Sequence, residues 1–219
     1  LSVCICHGIG RFSYALILPA MQESERWSYE VASWLNTANS IGAIAGALVS
    51  FAVLRNAPAG AVFRLGVVAT AVSVFLTGVW NAWWWLVAMR VASGWGAAFA
   101  FAAGGAIVAG RYKGDSTRSS LASGIYFAGG GLGMVVSASI VPTLIAANGS
   151  SSWPAAWAVL GVVCALMGVF PYTASLGTNV TLPGSQARAE GRVQVGKYVL
   201  ATMAYLLFAF AHTAYVFFV

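Results

Sequence analysis

His7-Gly8-Ile9-Gly10-Arg11-Phe12-Ser13-Tyr14 places a permanently charged arginine inside an apolar run, residues 1–20. If that run crosses a bilayer, Arg11 lies about 9 residues, roughly 14 Å, from its far end and close to the midplane. A charge at that depth costs roughly 2.5–3.5 kcal/mol on insertion scales, so it faces a protein interior or a watery cavity, with a partner or a ligand. The fold therefore depends on whether the rest of the chain supplies a membrane-embedded cavity.

Composition says that it does. Hydrophobic residues make up 60% of the chain and charged residues 7%, with a mean hydropathy of +0.82. Soluble domains carry about 25% charged residues. The apolar residues form continuous runs of helical length, residues 1–20, 31–54, 61–80, 82–109, 119–147, 154–174 and 198–219. Each is about 20 residues or longer, enough to cross a hydrocarbon core of about 30 Å, and none alternates as a barrel strand would. The expectation is an all-α, polytopic membrane protein with seven crossings. Its first residue is not Met and its last residues, Phe217-Phe218-Val219, are still apolar, so both ends read as cut. Residues 1–20 lack a basic leader and read as a mature first span rather than a signal peptide.

The connections give an orientation. Between the first two runs stand Glu23, Glu25 and Glu30 with Arg26, and the third and fifth connections are uncharged. The even connections carry Arg55 and Arg64, then Arg111, Lys113 and Arg118, then Arg188, Arg192 and Lys197. The positive-inside rule puts these and the N-terminus in the cytoplasm, as for a multi-pass protein of the plasma (inner) membrane. Trp27, Trp34, Trp80, Trp83, Trp84, Trp85, Trp153 and Trp157 cluster at the opposite ends and read as an interfacial belt. The net charge of +6 is thus a topological signal, and a nucleic-acid surface is excluded. The longest connection, residues 175–197, is rich in Gly, Ser, Thr and Pro and reads as a cytoplasmic linker after a six-helix unit, residues 1–174.

Arg90 is the second intramembrane cation, about 8 residues or roughly 12 Å inside its run, a depth close to that of Arg11. Two buried cations at one level repel unless they are separated or share an anion. No Asp or Glu falls inside any of the apolar runs. A backbone-carbonyl partner accounts for each arginine structurally; the matched depth favours a ligand or gating role. On helical spacing His7, Arg11 and Tyr14 share a face. His212 and Tyr215 in the seventh run, Asn36 and Asn39 in the second and Tyr126 in the fifth are further cavity candidates, with interhelical hydrogen bonds as their plainer role. Small residues mark close approach or bending: Gly42 and Gly46 in the second run, Gly94 and Gly96 in the fourth, and Gly129, Gly131 and Gly133 in the fifth. Cys4, Cys6 and Cys164 lie within apolar runs and read as buried packing residues. No zinc spacing, nucleophile elbow or Walker loop occurs, so no cofactor or metal is implied and a self-contained ATP-driven pump or soluble-type enzyme is disfavoured.

Leu86-Val-Ala-Met-Arg90-Val-Ala-Ser-Gly94-Trp-Gly96 resembles the fourth-helix motif of the major facilitator superfamily, an Arg followed by Gly four and six positions on. Gly8-Ile9-Gly10-Arg11-Phe12-Ser13-Tyr14 with Leu18-Pro19-Ala20-Met21-Gln22, Trp153-Pro-Ala-Ala-Trp157, and Tyr205 to His212 are similar to its YbfB/YjiJ-type family. The resemblance implies a twelve-helix transporter of two six-helix halves. This chain would be the amino-terminal half, the linker and most of helix seven, and the second half would be its partner. It also implies that helices one, four and seven line the cavity, bringing Arg11, Arg90 and His212 to it, with Arg90 in a position linked to proton coupling. Two positions depart from the pattern: of the acidic-basic loop after helix two only Arg55 remains, and the stretch from Gly129 to Gly133 lacks the Pro common in antiporters. The expected function is secondary transport of a small organic solute, with an anion favoured and protons as coupling ion. The alternatives are a drug or metabolite exporter, or, from a different class, a seven-span sensor or receptor.

Overall fold

The computed structural model describes residues 1–112 and 114–178, together with 199, 203 and 207. The chain divides into two compact units, Leu1–Leu182 and Pro183–Val219. The first holds six helices of membrane-spanning length, and among the described residues there is no strand. They are α1 (Ser13–Glu25), continuous with a π-helical segment Cys4–Ile9, then α2 (Tyr29–Val53), α3 (Ala59–Thr77), α4 (Trp83–Arg111), α5 (Ser116–Asn148) and α6 (Trp153–Ala174). Most of the seventh run, including His212 and Tyr215, lies outside the described residues, as does most of the expected linker.

Helix ends follow local chemistry. Ser28 caps α2 by accepting the Val31 N–H at 3.3 Å, and Asp115 caps α5 by accepting that of Arg118 at 2.9 Å; both satisfy donors that a helix start leaves unpaired. α1 continues past the end of its apolar run because Gln22, Glu23 and Glu25 are good helix formers, and it stops only where Arg26 turns left-handed at φ 55°. Glu23 and Glu25, expected in a loop, therefore lie on the last turn of α1. There Glu23 accepts from the Ser150 hydroxyl and Glu25 Oε1 from Trp153 Nε1 at 3.3 Å. These bonds tie the first helix to the start of α6. Similarly, Ser175–Thr178, expected to open a flexible linker, pack against α3: Arg64 Nη1 donates to the Ser175 carbonyl at 2.9 Å.

Between apolar helices in lipid there is little hydrophobic drive, so close backbone contact at small residues takes over. α4 is the hub. Gly42 and Gly46 of α2 sit against the α4 backbone at Val91 and Trp95, and a methyl on Gly46 would lie 2.7 Å from the Trp95 carbonyl. Gly94 meets the α2 backbone at Asn39, while Gly96 faces α3, where a methyl would fall 2.9 Å from the Thr70 nitrogen. The π segment crosses α5 with Gly8 against Gly133, and Gly129 is looser, 3.4 Å from the Cys4 nitrogen. Gly131, grouped with them on sequence, faces open space with no neighbour within 4 Å, because it points off the crossing that Gly129 and Gly133 form. Outward faces are lined by residues such as Leu48, Leu121, Leu166 and Phe170, as a lipid-solvated bundle requires.

All the tryptophans but Trp95, which stands midway along α4, lie near the helix ends expected for a belt, but only some face outward. Trp34 and Trp84 are 61% and 59% exposed, whereas Trp153 and Trp157, at 1% and 0%, are core residues and leave the belt. Their position along the helices fits an interface; their azimuth is set by packing on α1.

Candidate solute-binding site

Three helices, the first, α2 and α4, enclose a cavity of about 200 Å³. The π-helical segment gives it its polar wall. Gly10 N–H bonds to the Ile5 carbonyl at 2.8 Å and Phe12 N–H to that of His7 at 3.2 Å, each a five-residue step. A turn one residue wider than α rotates everything after it by roughly 100°. Cys6, His7 and Arg11 consequently line the cavity, and Tyr14, expected on their face, does not. Tyr14 is buried, donates its hydroxyl to the Ala32 carbonyl of α2 and stacks 6.4 Å from Trp157.

Opposite the polar wall, Asn39, Ala43 and Ala47 of α2 and Gly94, Ala97, Ala98, Phe101 and Ala102 of α4 form a mostly apolar floor. Their spacing of three and four keeps each set on one helix face. His7 packs its ring on Phe101 with centroids 4.7 Å apart. His7 Nδ1 and, nearby in sequence to Asn39, Asn36 Oδ1 are buried with no hydrogen-bond partner among the described residues. Asn39 is 2% exposed and donates to the Arg90 carbonyl at 3.1 Å, joining α2 to α4.

Arg90 is placed away from this cavity, with the backbone-carbonyl partner that accounts for it structurally. It stands one turn before Gly94 on the cavity stripe of α4, yet its side chain is fully buried and contributes nothing to the cavity wall. Helical side chains lean toward the helix N-terminus, and here that direction leads between the first helix and α6. The guanidinium lies 5.0 Å from the Tyr14 ring and 5.2 Å from that of Trp157, and Nη1 donates to the Gly10 carbonyl at 3.0 Å. Nε and Nη2 have no partner among the described residues. Arg90 and Arg11 are thus at the same level, since Gly10 precedes Arg11, but they face different surroundings: one is sandwiched in protein, the other is at a cavity.

The remaining candidates scatter. Tyr126 of α5 donates to the Phe101 carbonyl at 3.0 Å and packs on α4 outside the cavity. Asn36 is also not part of its lining. Arg55 is exposed with its guanidinium 4.8 Å above Phe51. Gly94 lines the cavity, and Gly42, Gly46 and Gly96 act at helix contacts. Sequence reasoning missed Phe101, the alanine floor and Trp157. Alanines carry no chemical signal, and Trp157 was masked by its place in an apparent belt. Among the described residues no group of three or more His, Cys, Asp or Glu could hold a metal, and the three cysteines are free and buried.

A family model described as "Uncharacterised MFS-type transporter YbfB" matches residues 3–219. The chain belongs to this family of transporters. A crystal structure of a mutant of the peptide transporter POT is similar in fold, with a TM-score of 0.64 at 14% identity, over 100% of this chain and 47% of that one. The chain thus spans about half the length of that transporter. No curated protein matches it. The major facilitator fold and the multi-pass membrane character anticipated from the sequence are both present, and the family is one of transporters rather than of receptors. Within this YbfB-type chain, the fourth-helix arginine is a buried bridge between helices, and Arg11 is the cation at the cavity.

Proposed function

We propose that this chain is the amino-terminal part of a proton-linked secondary transporter that carries a small organic anion by alternating access. The six-helix unit, residues 1–174, forms one half; residues 175–197 link it, on the cytoplasmic side, to a second half that begins at residue 198. The protein lies in the plasma (inner) membrane with its N-terminus in the cytoplasm, a reading supported by the bases between even-numbered spans. The observation that carries the proposal is the cavity on which Arg11 and His7 converge above an apolar floor. A guanidinium in a low-dielectric pocket is a strong partner for a carboxylate. The Ala and Gly surface opposite accommodates a compact apolar body, and His7 Nδ1, buried without a partner, offers a further polar contact to the solute or to a proton. Glycine seams between α2 and α4 and between the first helix and α5 lock backbone on backbone, which suits a half that rocks as one body.

The test is uptake and export of a panel of small metabolites in cells carrying the full-length protein, with and without a pH gradient. The expected result is movement of a carboxylate-bearing solute that depends on the gradient and is lost in Arg11→Gln at normal membrane abundance. Unchanged affinity and rate in Arg11→Gln would overturn the anion site. Movement of neutral or cationic compounds alone would replace it with an exporter.

A further inference from the structure

A second cavity, of about 250 Å³, lies between α3 and α6 and shares no lining residue with the solute cavity. The two helices run antiparallel and touch closely at several levels, with Gly78 against Pro154 at the far end and Gly168 against Val67 nearer the middle. Gly60 sits against Ser175 and Thr178 at one end, and Gly161 against Phe75 farther along. Between these contacts the side chains are small or retracted: Val67 and Ala71 on α3, Ala165 and Gly168 on α6. The result is an apolar groove with Tyr172 at its mouth. From Arg64 to the groove's deepest α3 residue, Val72, is about 12 Å of helix, most of the roughly 15 Å of one leaflet's hydrocarbon.

A charge stands beside Tyr172, just outside the groove's own lining. Arg64 is the one charged side chain on either helix, and neither carries an Asp or Glu. Its guanidinium lies 5.9 Å from the Tyr172 ring and donates only to the neutral Ser175 carbonyl and hydroxyl, with no carboxylate against it among the described residues. A half-buried cation at the interface, beside a tyrosine and above a groove one leaflet deep, matches the chemistry of a lipid with an anionic headgroup. A transmembrane helix is about 10–12 Å across with its side chains and needs an open face, not a groove of this volume.

We infer that the α3–α6 groove seats one acyl chain of an anionic phospholipid, with its phosphate against Arg64 and the Tyr172 hydroxyl. The site is separate from the solute cavity, and its occupancy does not depend on what the protein transports. On the proposed orientation it draws lipid from the cytoplasmic leaflet, the anionic one.

Full-length protein in nanodiscs of phosphatidylcholine with phosphatidylglycerol, followed by native mass spectrometry, tests this directly. The wild type is expected to retain phosphatidylglycerol over phosphatidylcholine. Ala165→Phe, whose exposed position lets the ring fill the groove without entering the core, is expected to abolish the retained lipid. Arg64→Gln is expected to weaken its retention about fivefold, the worth of one basic residue toward an anionic surface. A thermal melt on each variant confirms that it is folded, and Val72→Phe repeats the blockage from the other wall if Ala165→Phe is not. Equal retention of both lipids by the wild type, or retention of phosphatidylglycerol undiminished in both the groove-filling and the Arg64 variant, overturns the inference.

Discussion

Arg90 and Arg11 show how one residue type takes two roles at one depth. Arg90 is held by two ring faces and the Gly10 carbonyl, but two of its nitrogens are buried without partners. Desolvated cation–π contacts contribute about 2 kcal/mol each, against roughly 1–3 kcal/mol for each buried nitrogen left unpaired. The charge therefore comes close to cancelling itself, and packing volume dominates. Arg90→Ala is expected to destabilise by about 2–5 kcal/mol through the cavity it leaves beside Tyr14 and Trp157. Arg90→Met, which fills much of the same space, is expected to stay within about 1.5 kcal/mol of wild type. Denaturation of the purified full-length protein in detergent distinguishes them. If Arg90→Met is stable and still transports, the arginine acts by packing. If it is stable and inactive, its charge serves the transport cycle itself.

The elements most sensitive to substitution are the first helix and the α5 face it crosses. Gly133 and Gly131 are two residues apart, yet a methyl at Gly133 would overlap the Cys4 carbonyl and come within 2.6 Å of Gly8 Cα, whereas one at Gly131 meets nothing. Backbone cannot give way as a side chain can. Gly133→Ala is expected to cost about 1–3 kcal/mol, and Gly131→Ala to be neutral or to gain up to about 1 kcal/mol from helix propensity. Melting temperatures of the two variants check the pair. The same crossing holds the π segment that turns His7 and Arg11 toward the cavity. The expectation follows that Gly133→Ala also weakens solute affinity while Gly131→Ala leaves it unchanged, read as KM in the uptake assay. No local residue pattern announces a π turn, so a regular helical wheel put Tyr14 with His7 and Arg11.

At the scale of the whole molecule, connections at the two ends differ in chemistry. One end gathers Trp27, Trp80 and Trp84 around short, base-poor turns; the other presents Arg55, Arg111 and Arg118. The proposed orientation predicts that a cysteine replacing exposed Asn81 reacts with a membrane-impermeant maleimide in intact cells, while one replacing exposed Asn56 reacts only after permeabilisation. Cys4, Cys6 and Cys164 are buried, so this chain's own thiols are expected to add little background labelling. The reverse pattern would invert the assignment of cytoplasmic and outer faces.

Sequence alone determined the class of the protein, the number and approximate ends of its described helices and the motif that marks its family. A bilayer imposes length, hydropathy and charge asymmetry along one dimension, and a chain records that dimension directly. Position along the helices was legible for the same reason: the Arg90 guanidinium reaches the Gly10 carbonyl, next to Arg11. Azimuth was not. Which way a polar side chain faces depends on a single wide turn in the first helix, on the lean of helical side chains toward the N-terminus and on where Trp157 leaves a gap. Tertiary structure thus moved Arg90, Tyr14 and Trp157 into the core and left Arg11 and His7 at the cavity. Helix faces are chosen by close packing among neighbours distant in sequence, and no one-dimensional pattern contains those neighbours.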